Sequence, residues 1–124
     1  MRNVILIVDD NKGIREIFAQ ILRSHGYDTV EAETGLEAIK KTSSIKPSLV
    51  LMDLSLPDMT GADATRAIKN DTFTGTIPVI GCSAFCGPQI RDAALHAGMV
   101  DYLVKPISIN LFTAKVEQFI QREL

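Results

Sequence analysis

Apolar runs and amphipathic segments alternate along the chain five times. The runs at residues 49–52 and 79–82 are nearly continuous, which is typical of strands covered on both faces of a sheet. Between the runs, apolar residues recur at helical spacing, and the first such segment has the apolar face Ile14, Ile17, Phe18, Ile21 and Leu22. This alternation predicts an α/β fold of five βα units, a doubly wound (βα)5 sandwich with a five-stranded parallel sheet between two helical layers.

Capping and turn residues separate the predicted elements. Thr34 and Glu37 have the spacing of a capping box at the start of the second helix. Gly26 and Gly98 are typical C-terminal stops of the first and fourth helices. We expect the second strand at residues 27–32, the second helix to end near 44, the third helix to run from about 60 to 70, the fourth helix at 88–97 and the fifth strand at 101–104. Ser108 caps the last helix, whose predicted apolar face is Ile109, Phe112, Val116, Phe119 and Ile120.

Ionisable and hydroxyl side chains stand where four of the predicted strands end. Asp9 and Asp10 follow the first strand, and Asp53 ends the third. Ser83 follows the fourth strand, and Lys105 follows the fifth. Ligands of parallel α/β sheets bind outside the carboxyl ends of the strands, so we expect these side chains to converge on one edge.

The chemistry of this set suits a divalent cation and a phosphoryl group. Two carboxylates about 4 Å apart repel each other by roughly 4 kcal/mol at an effective dielectric constant of about 20, and a cation offsets that repulsion. Oxygen ligands in octahedral geometry favour Mg²⁺, and a carboxylate such as that of Asp53 can form an aspartyl-phosphate. The alternative interpretation is that Asp9 and Asp10 merely cap the first helix and that Asp53 is a turn residue.

Composition narrows the functional class. The chain has 124 residues, 46% of them hydrophobic and 23% charged, which is typical of one globular domain. Its formal net charge is -2 and it has no basic cluster, which argues against direct binding of nucleic acid. No apolar run approaches the roughly 20 residues of a membrane span, and the first residues lead into a strand rather than a secretory signal.

The cysteines and histidines have modest predicted roles. Two cysteines imply no disulfide framework, so we expect a reducing cytoplasm. Cys82 is predicted to be a small buried hydrophobic residue and Cys86 a loop thiol, with a metal or redox pair as the alternative. His25 and His96 lie near predicted helix ends, where we expect them to be solvated.

Four motifs together resemble one known family. They are IVDDN at residues 7–11, LMDLSLPDMTG at 51–61, IPVIGCSA at 77–84 and AGMVDYLVKP at 97–106. In this order and spacing the chain resembles the receiver domains of response regulators, the CheY-like family of two-component signalling. The resemblance implies a flavodoxin-like fold with strand order 2-1-3-4-5 and a single receiver domain over residues 1–124.

The resemblance also implies a role for each residue at the strand ends. Asp53 would accept a phosphoryl group from a histidine kinase or a histidine phosphotransfer protein. Ser83 and Lys105 would bind the phosphoryl oxygens, and Ser83 with Tyr102 would form the switch that changes the surface of helix 4, strand 5 and helix 5. The bond before Pro106 would be cis. Magnesium would be held by Asp9, Asp10, Asp53 and the backbone carbonyl of Ser55.

The chain departs mildly from the family pattern. Ser83 replaces the commoner threonine and keeps the hydroxyl group. Gly81 and Cys82 replace a bulkier apolar pair, so we expect the fourth strand to be locally looser. Ser55 and Phe85 occupy positions whose side chains modulate the lifetime of the phosphoryl group in the family.

Two other functional classes fit the sequence less well than a receiver. A Mg²⁺-dependent phosphohydrolase of the haloacid-dehalogenase type would have a second aspartate at position 55, where this chain has serine. A flavodoxin-like flavin carrier would have a loop rich in Ser, Thr and Gly after the first strand, where this chain is acidic. We therefore expect a signalling module whose chemistry is limited to its own phosphorylation and dephosphorylation.

The last helix bears on how the domain is used. It lacks the Arg-rich pattern of receivers that dimerise above DNA-binding domains. We expect a stand-alone, monomeric receiver that acts on a downstream protein target. A receiver excised from a larger regulator or hybrid kinase is the alternative.

Overall fold

The computed structural model of the protein describes residues 3–85 and 87–121. Strands and helices alternate along this part of the chain, as the hydrophobic pattern predicts. In chain order the elements are β1 (Val4–Val8), α1 (Lys12–Ser24), β2 (Asp28–Ala32), α2 (Gly35–Ile45), β3 (Leu49–Asp53), α3 (Gly61–Asn70), β4 (Val79–Ser83), α4 (Pro88–Ala97), β5 (Asp101–Val104) and α5 (Ile109–Gln121). The bounds of α4 and β5 agree with the prediction, and β2 begins one residue later than predicted.

The five strands form one parallel sheet in the order β2-β1-β3-β4-β5. Asp53 is in register with Cys82, and Ser83 is in register with Val104. The predicted fold class and strand order are therefore confirmed. Because neighbouring strands end at similar heights, the residues that follow them meet at one edge of the sheet.

Two apolar layers hold the sheet in place. Helices α1 and α5 cover one face, where Leu22, Phe112 and Val116 are buried with Ile7, and the rings of Phe18 and Phe112 stack with 4.8 Å between their centroids. Helices α2, α3 and α4 cover the other face. Full burial of one large apolar side chain contributes about 1.5–3 kcal/mol. These layers fix the strands on which the polar edge is built.

The predicted helix caps are present. The Thr34 hydroxyl accepts a hydrogen bond from the Glu37 N–H at 3.1 Å, and the Ser108 hydroxyl accepts one from the Leu111 N–H at 3.1 Å. The Glu37 carboxylate accepts from the N–H of Glu33 at 2.9 Å, one residue before the cap. Local capping chemistry thus sets the starts of α2 and α5.

Two apolar residues that the pattern places on buried helix faces are exposed, so this part of the prediction is wrong. Ile17 is 56% exposed and Ile109 is 57% exposed. At about 100° per residue, Ile17 lies roughly 140° around α1 from the buried Leu22 and faces away from the sheet. Ile109 is the first residue of α5, one turn before Phe112, the first buried position of that helix.

Candidate functional site

The ends of β1 and β3 bring three carboxylates together. Asp53 is the last residue of β3 and is 7% exposed, and Asp9 directly follows β1 and is 3% exposed. Asp10 is exposed beside them. One oxygen from each of the three lies within 4.8 Å of the others. This cluster has the oxygen donors and the negative charge that suit Mg²⁺.

Asp9 is held from several directions. Its N–H donates to the Ala32 carbonyl at 3.1 Å, and its own carbonyl accepts from the Arg15 guanidinium at 2.7 Å. One carboxylate oxygen, Oδ1, accepts from the N–H of Asn11 at 2.9 Å. Asn11, rather than either aspartate, caps α1 by accepting from the Ile14 N–H at 3.1 Å. The alternative interpretation of the acidic pair as a helix cap is therefore wrong.

Lys105 brings a positive charge to the cluster. Its Nζ lies 2.6 Å from Oδ2 of Asp9 and 3.7 Å from Oδ2 of Asp53. The backbone N–H of Lys105 donates to the Ser83 carbonyl at 2.8 Å, and the bond between Lys105 and Pro106 is cis. Burial lowers the pKa of Lys105, but the hydrogen bond to Asp9 and the charges of both carboxylates outweigh burial and raise that pKa overall.

The carboxyl group of Asp53 has a raised pKa in this site. Burial raises its pKa above the ordinary value of 3.8, and the negative charge of Asp9 raises it further. The ammonium of Lys105 and the Ser55 N–H, 3.3 Å from Oδ1 of Asp53, lower this pKa without cancelling the rise. The ionised form of Asp53 is thus disfavoured, and an added cation would favour it.

The backbone of a single residue, Phe85, links Ser83 with Tyr102. The Ser83 hydroxyl is buried and accepts a hydrogen bond from the Phe85 N–H at 3.1 Å. The Tyr102 hydroxyl donates to the carbonyl of the same Phe85. Two hydrogen bonds through the backbone of Phe85 therefore connect the Ser83 hydroxyl to the Tyr102 hydroxyl.

The fourth strand is closely packed at Gly81, which corrects the expectation of a looser strand. A β-carbon at this position would collide with the sulfur of Met99 and would lie 3.3 Å from the ring of Tyr102. These two side chains occupy the space that glycine leaves. Tyr102 is therefore buried.

Sequence reasoning missed two residues that support the site. Arg15 joins the Asp9 carbonyl to the Glu31 carboxylate, which lies 2.9 Å from its Nε. Asp58 accepts hydrogen bonds from the N–H groups of Gly35 and Leu36, and these bonds lower its pKa. Their partners lie on other elements, up to 23 residues away in the chain, and no local pattern signals such pairs.

The thiols and imidazoles lie outside the cluster as far as the structure describes them. Burial raises the pKa of the Cys82 thiol to about 12, so this cysteine is a protonated, unreactive core residue, as predicted. The prediction for Cys86 falls outside the described residues. His25 and His96 are exposed near helix ends, as expected.

Comparison with known proteins agrees with the fold and with the acidic edge. A family model described as the response regulator receiver domain matches residues 5–117. The chain belongs to the response regulator receiver domain family. It is 31% identical over 120 residues to the polar-differentiation response regulator DivK of Brucella anthropi, across 97% of this chain and 98% of that protein.

Two solved receivers show the same architecture. The receiver domain of a sensor histidine kinase from Pseudomonas aeruginosa, with a magnesium ion coordinated in its active site cleft, is 30% identical and superposes with a TM-score of 0.90. The match covers 98% of this chain and 99% of that one. The chemotaxis protein CheY4 of Vibrio cholerae is 23% identical over 96% of this chain and 99% of that one, and its TM-score of 0.91 shows a shared fold.

Family membership gives the site its general meaning. Receiver domains belong to two-component systems, in which they interact with histidine kinases and downstream targets. The pocket formed by Asp9, Asp10 and Asp53 is compatible with Mg²⁺ and with acceptance of a phosphoryl group. The family acts in signalling, which favours this function over the phosphohydrolase and flavin-carrier classes. The described helices are too short and too polar to cross a membrane.

Proposed function

We propose that Asp53 is the phosphoryl acceptor and that the donor is the phosphohistidine of a histidine kinase or a histidine phosphotransfer protein. A carboxylate oxygen of Asp53 forms a bond to phosphorus while the phosphorus–nitrogen bond of the donor breaks, and the imidazole nitrogen takes the electron pair of that bond. The observation that carries the proposal is the position of Asp53, at a strand end between two carboxylates and 3.7 Å from the ammonium of Lys105.

The same proposal includes Mg²⁺ as cofactor. Asp9, Asp10 and Asp53 would hold the ion together with the backbone carbonyl of Ser55. When bound, Mg²⁺ neutralises negative charge on the phosphoryl group and on the acceptor. The raised pKa of Asp53 supports this role, because a cation beside the carboxylate would lower that pKa and favour the ionised, nucleophilic form. The magnesium ion described for the Pseudomonas aeruginosa receiver also supports it.

Lys105 and Ser83 would stabilise the phosphoryl group. At rest, the ammonium of Lys105 is bound to Asp9 at 2.6 Å, and the Ser83 hydroxyl accepts a hydrogen bond from Phe85. Both groups can donate to phosphoryl oxygens, so each would exchange its resting contact for the new charge on Asp53.

The exchange at Ser83 would drive the output of the domain. The backbone N–H and carbonyl of Phe85 connect the Ser83 hydroxyl to the Tyr102 hydroxyl. Movement of Ser83 towards the phosphoryl group would release the Phe85 N–H and shift the carbonyl that holds Tyr102. The surface formed by α4, β5 and α5 would then change by a population shift, and a downstream protein would read that change.

Covalent labelling tests the acceptor. The protein is incubated with Mg²⁺ and acetyl phosphate, and peptides are analysed by mass spectrometry for an acid-stable, base-labile addition. We expect label on the peptide that contains Asp53 and none in the Asp53→Ala variant. Equal labelling of that variant at the same kind of group would refute the assignment.

The switch has a separate test. Beryllofluoride with Mg²⁺ mimics the aspartyl-phosphate, and NMR chemical shifts of the bound and free protein are compared. We expect shifts at Tyr102 and along α4, and we expect Tyr102→Phe to reduce the shifts along α4 while leaving those around Asp53. Shifts confined to the loops around Asp53 would defeat this mechanism.

The remaining features are proposed together. Residues 1–124 would form one monomeric receiver domain that works in the cytoplasm. Its chemistry would be confined to its own phosphorylation and dephosphorylation, and its output would be protein binding without direct contact to nucleic acid or membrane. The net charge of -2 supports the last point.

A further inference from the structure

The loop between β3 and α3 is closed on itself beside the acidic cluster. The Gly61 N–H donates to the Leu54 carbonyl at 2.9 Å, and Ser55 pairs with Thr60 through an antiparallel bridge. Ser55, whose carbonyl is a proposed ligand of Mg²⁺, therefore sits at the base of a small closed loop. Its position depends on whatever holds residues 56–59.

Asp58 holds the far end of this loop against another element. Its Oδ1 accepts from the Gly35 N–H at 2.8 Å, and its Oδ2 accepts from the Leu36 N–H at 2.9 Å. Both carboxylate oxygens are thus used, on two successive backbone groups at the start of α2. Bonds from backbone N–H groups to a carboxylate are among the stronger hydrogen bonds of proteins, and two of them fix an orientation.

Close packing reinforces the same contact. A β-carbon on Gly35 would collide with the Met59 side chain and would lie 3.3 Å from Oδ1 of Asp58. The glycine therefore allows Asp58 and Met59 to reach the backbone of α2. The contact couples the start of α2 to the loop that begins immediately after Asp53.

Helix capping by itself does not require this arrangement. Thr34 already caps α2, because its hydroxyl accepts from the Glu37 N–H at 3.1 Å. Asp58 adds the N–H groups that Thr34 does not reach, and it does so from 22 and 23 residues away. What Asp58 contributes beyond a cap is a connection between α2 and the loop that carries Ser55.

We propose that Asp58 is a positioning residue for the Mg²⁺ site, acting by clamping the β3–α3 loop to α2 so that the Ser55 carbonyl is directed towards the acidic cluster. The inference rests on the proposed Mg²⁺ site. Asp58 does not touch the ion or the phosphoryl group in this scheme. It acts on affinity through the geometry of the loop, as outer partners of metal sites commonly do.

The experiment measures Mg²⁺ dissociation constants by calorimetry, and melting temperatures by thermal denaturation. The proteins compared are the unaltered protein and the variants Asp58→Ala, Asp58→Asn, Thr34→Ala and Asp63→Asn. Thr34→Ala weakens the cap of α2 but leaves the clamp. Asp63→Asn removes one charge from a residue that lines the same loop pocket but leaves the clamp. The two controls therefore separate the clamp from helix stability and from simple charge.

We expect Asp58→Ala to weaken Mg²⁺ binding by about tenfold, which is the lower end of what loss of an outer partner costs a metal site. Asp58→Asn keeps one acceptor oxygen, so its Mg²⁺ affinity should fall between those of Asp58→Ala and the unaltered protein. Thr34→Ala should stay within about twofold of the unaltered protein, because it leaves both hydrogen bonds of Asp58 in place. Asp63→Asn should stay within the same range, because an exposed charge is screened by salt. At saturating Mg²⁺, the rate of labelling by acetyl phosphate should be the same in Asp58→Ala as in the unaltered protein.

NMR gives a readout that does not depend on a variant folding. In the unaltered protein, the amide signals of Gly35 and Leu36 should shift during a Mg²⁺ titration, because the clamp transmits the ordering of the loop. Unchanged Gly35 and Leu36 signals, or equal weakening by Thr34→Ala and Asp58→Ala, would overturn the inference. So would unchanged affinity in Asp58→Ala. Absence of any Mg²⁺ binding to the unaltered protein would overturn the proposed function and this inference together.

Discussion

The two edges of the sheet use polar residues in opposite ways. At the amino edge, the Ser48 hydroxyl donates to the Asn3 side chain at 2.9 Å, and the buried Thr74 hydroxyl donates to the Ile68 carbonyl at 2.7 Å. These groups are neutral and each satisfies another neutral group, while the carboxylate of Asp101 at the start of β5 is matched by one ammonium, that of Lys115, at 2.8 Å. At the carboxyl edge, three carboxylates share one site with the ammonium of Lys105.

The difference shows which edge of the sheet lowers the stability of the folded protein. Both edges belong to the same five strands, and apolar layers cover the two faces of these strands. The amino edge adds matched polar contacts that stabilise the fold. The carboxyl edge gathers charge that the fold disfavours, and the core stabilises the folded state enough to keep it there. Such an edge is prepared for a ligand that supplies positive charge.

The largest expected effect comes from removing the ammonium at the carboxyl edge. Lys105→Met leaves Asp9 and Asp53 without their cation, so we expect the free energy of unfolding to fall by about 3 kcal/mol at neutral pH, the lower end for breaking a buried ion pair. Urea denaturation in chelator measures this loss. A variant as stable as the wild type would mean that the ion pairs of Lys105 with Asp9 and Asp53 contribute little to stability.

Added Mg²⁺ should act on the carboxyl edge alone. At about one hundred times its Kd, Mg²⁺ should stabilise the wild type by about 2.7 kcal/mol through mass action. The gain should be much smaller in Asp53→Asn and unchanged in Thr74→Val. Thermal denaturation with Mg²⁺ or with chelator measures it, and equal stabilisation of Asp53→Asn would contradict the metal site.

Loss of one neutral hydrogen bond at the amino edge should have an intermediate effect. Thr74→Val keeps the shape of the side chain and leaves the buried Ile68 carbonyl without its donor, which should cost about 1–2 kcal/mol of unfolding free energy. Mg²⁺ affinity and labelling of Asp53 should not change. A change in Mg²⁺ affinity would show that the two edges are coupled.

The difference in unfolding free energy between the wild type and Asp53→Asn should depend on pH, because Asp53 ionises at the carboxyl edge. The pKa of Asp53 is raised by folding, so the wild type is favoured while the group is protonated and loses stability as pH rises through the folded pKa. Below pH 3.8, the ordinary pKa, the two proteins should differ least. Towards neutral pH in chelator, Asp53→Asn should become the more stable of the two. Urea denaturation across this pH range would refute the raised pKa if the difference ran the other way.

The smallest effect should come from an exposed residue of the amino edge. Phe73 is 75% exposed, and its described ring contact is with the ammonium of Lys46, which lies 5.4 Å from the ring centroid. Phe73→Ala should change the unfolding free energy by about 0.5 kcal/mol or less. Chemical denaturation measures the change. A loss above that of Thr74→Val would show that Phe73 packs more than its exposure indicates.

The elements, and the edge on which the polar residues meet, follow from patterns that are local in the chain. The hydrophobic period distinguishes strand from helix, and hydroxyl caps such as Thr34 and Ser108 mark helix starts by local hydrogen bonds. Parallel strands end at the same edge, so residues at strand ends converge whatever the details of packing. For this reason the meeting of Asp9 and Asp53 with Lys105 could be foreseen.

The partner of each polar group, and the set of apolar residues that are covered, depend on how separate elements pack together. Asp58 binds the start of α2, and Arg15 binds the Asp9 carbonyl, through contacts between separate elements. The burial of Tyr102 depends on the missing side chain of Gly81 on the neighbouring strand. The exposure of Ile17 depends on which arc of α1 the sheet covers. Local patterns record what a segment prefers, whereas these outcomes depend on distances between segments that are far apart in the chain.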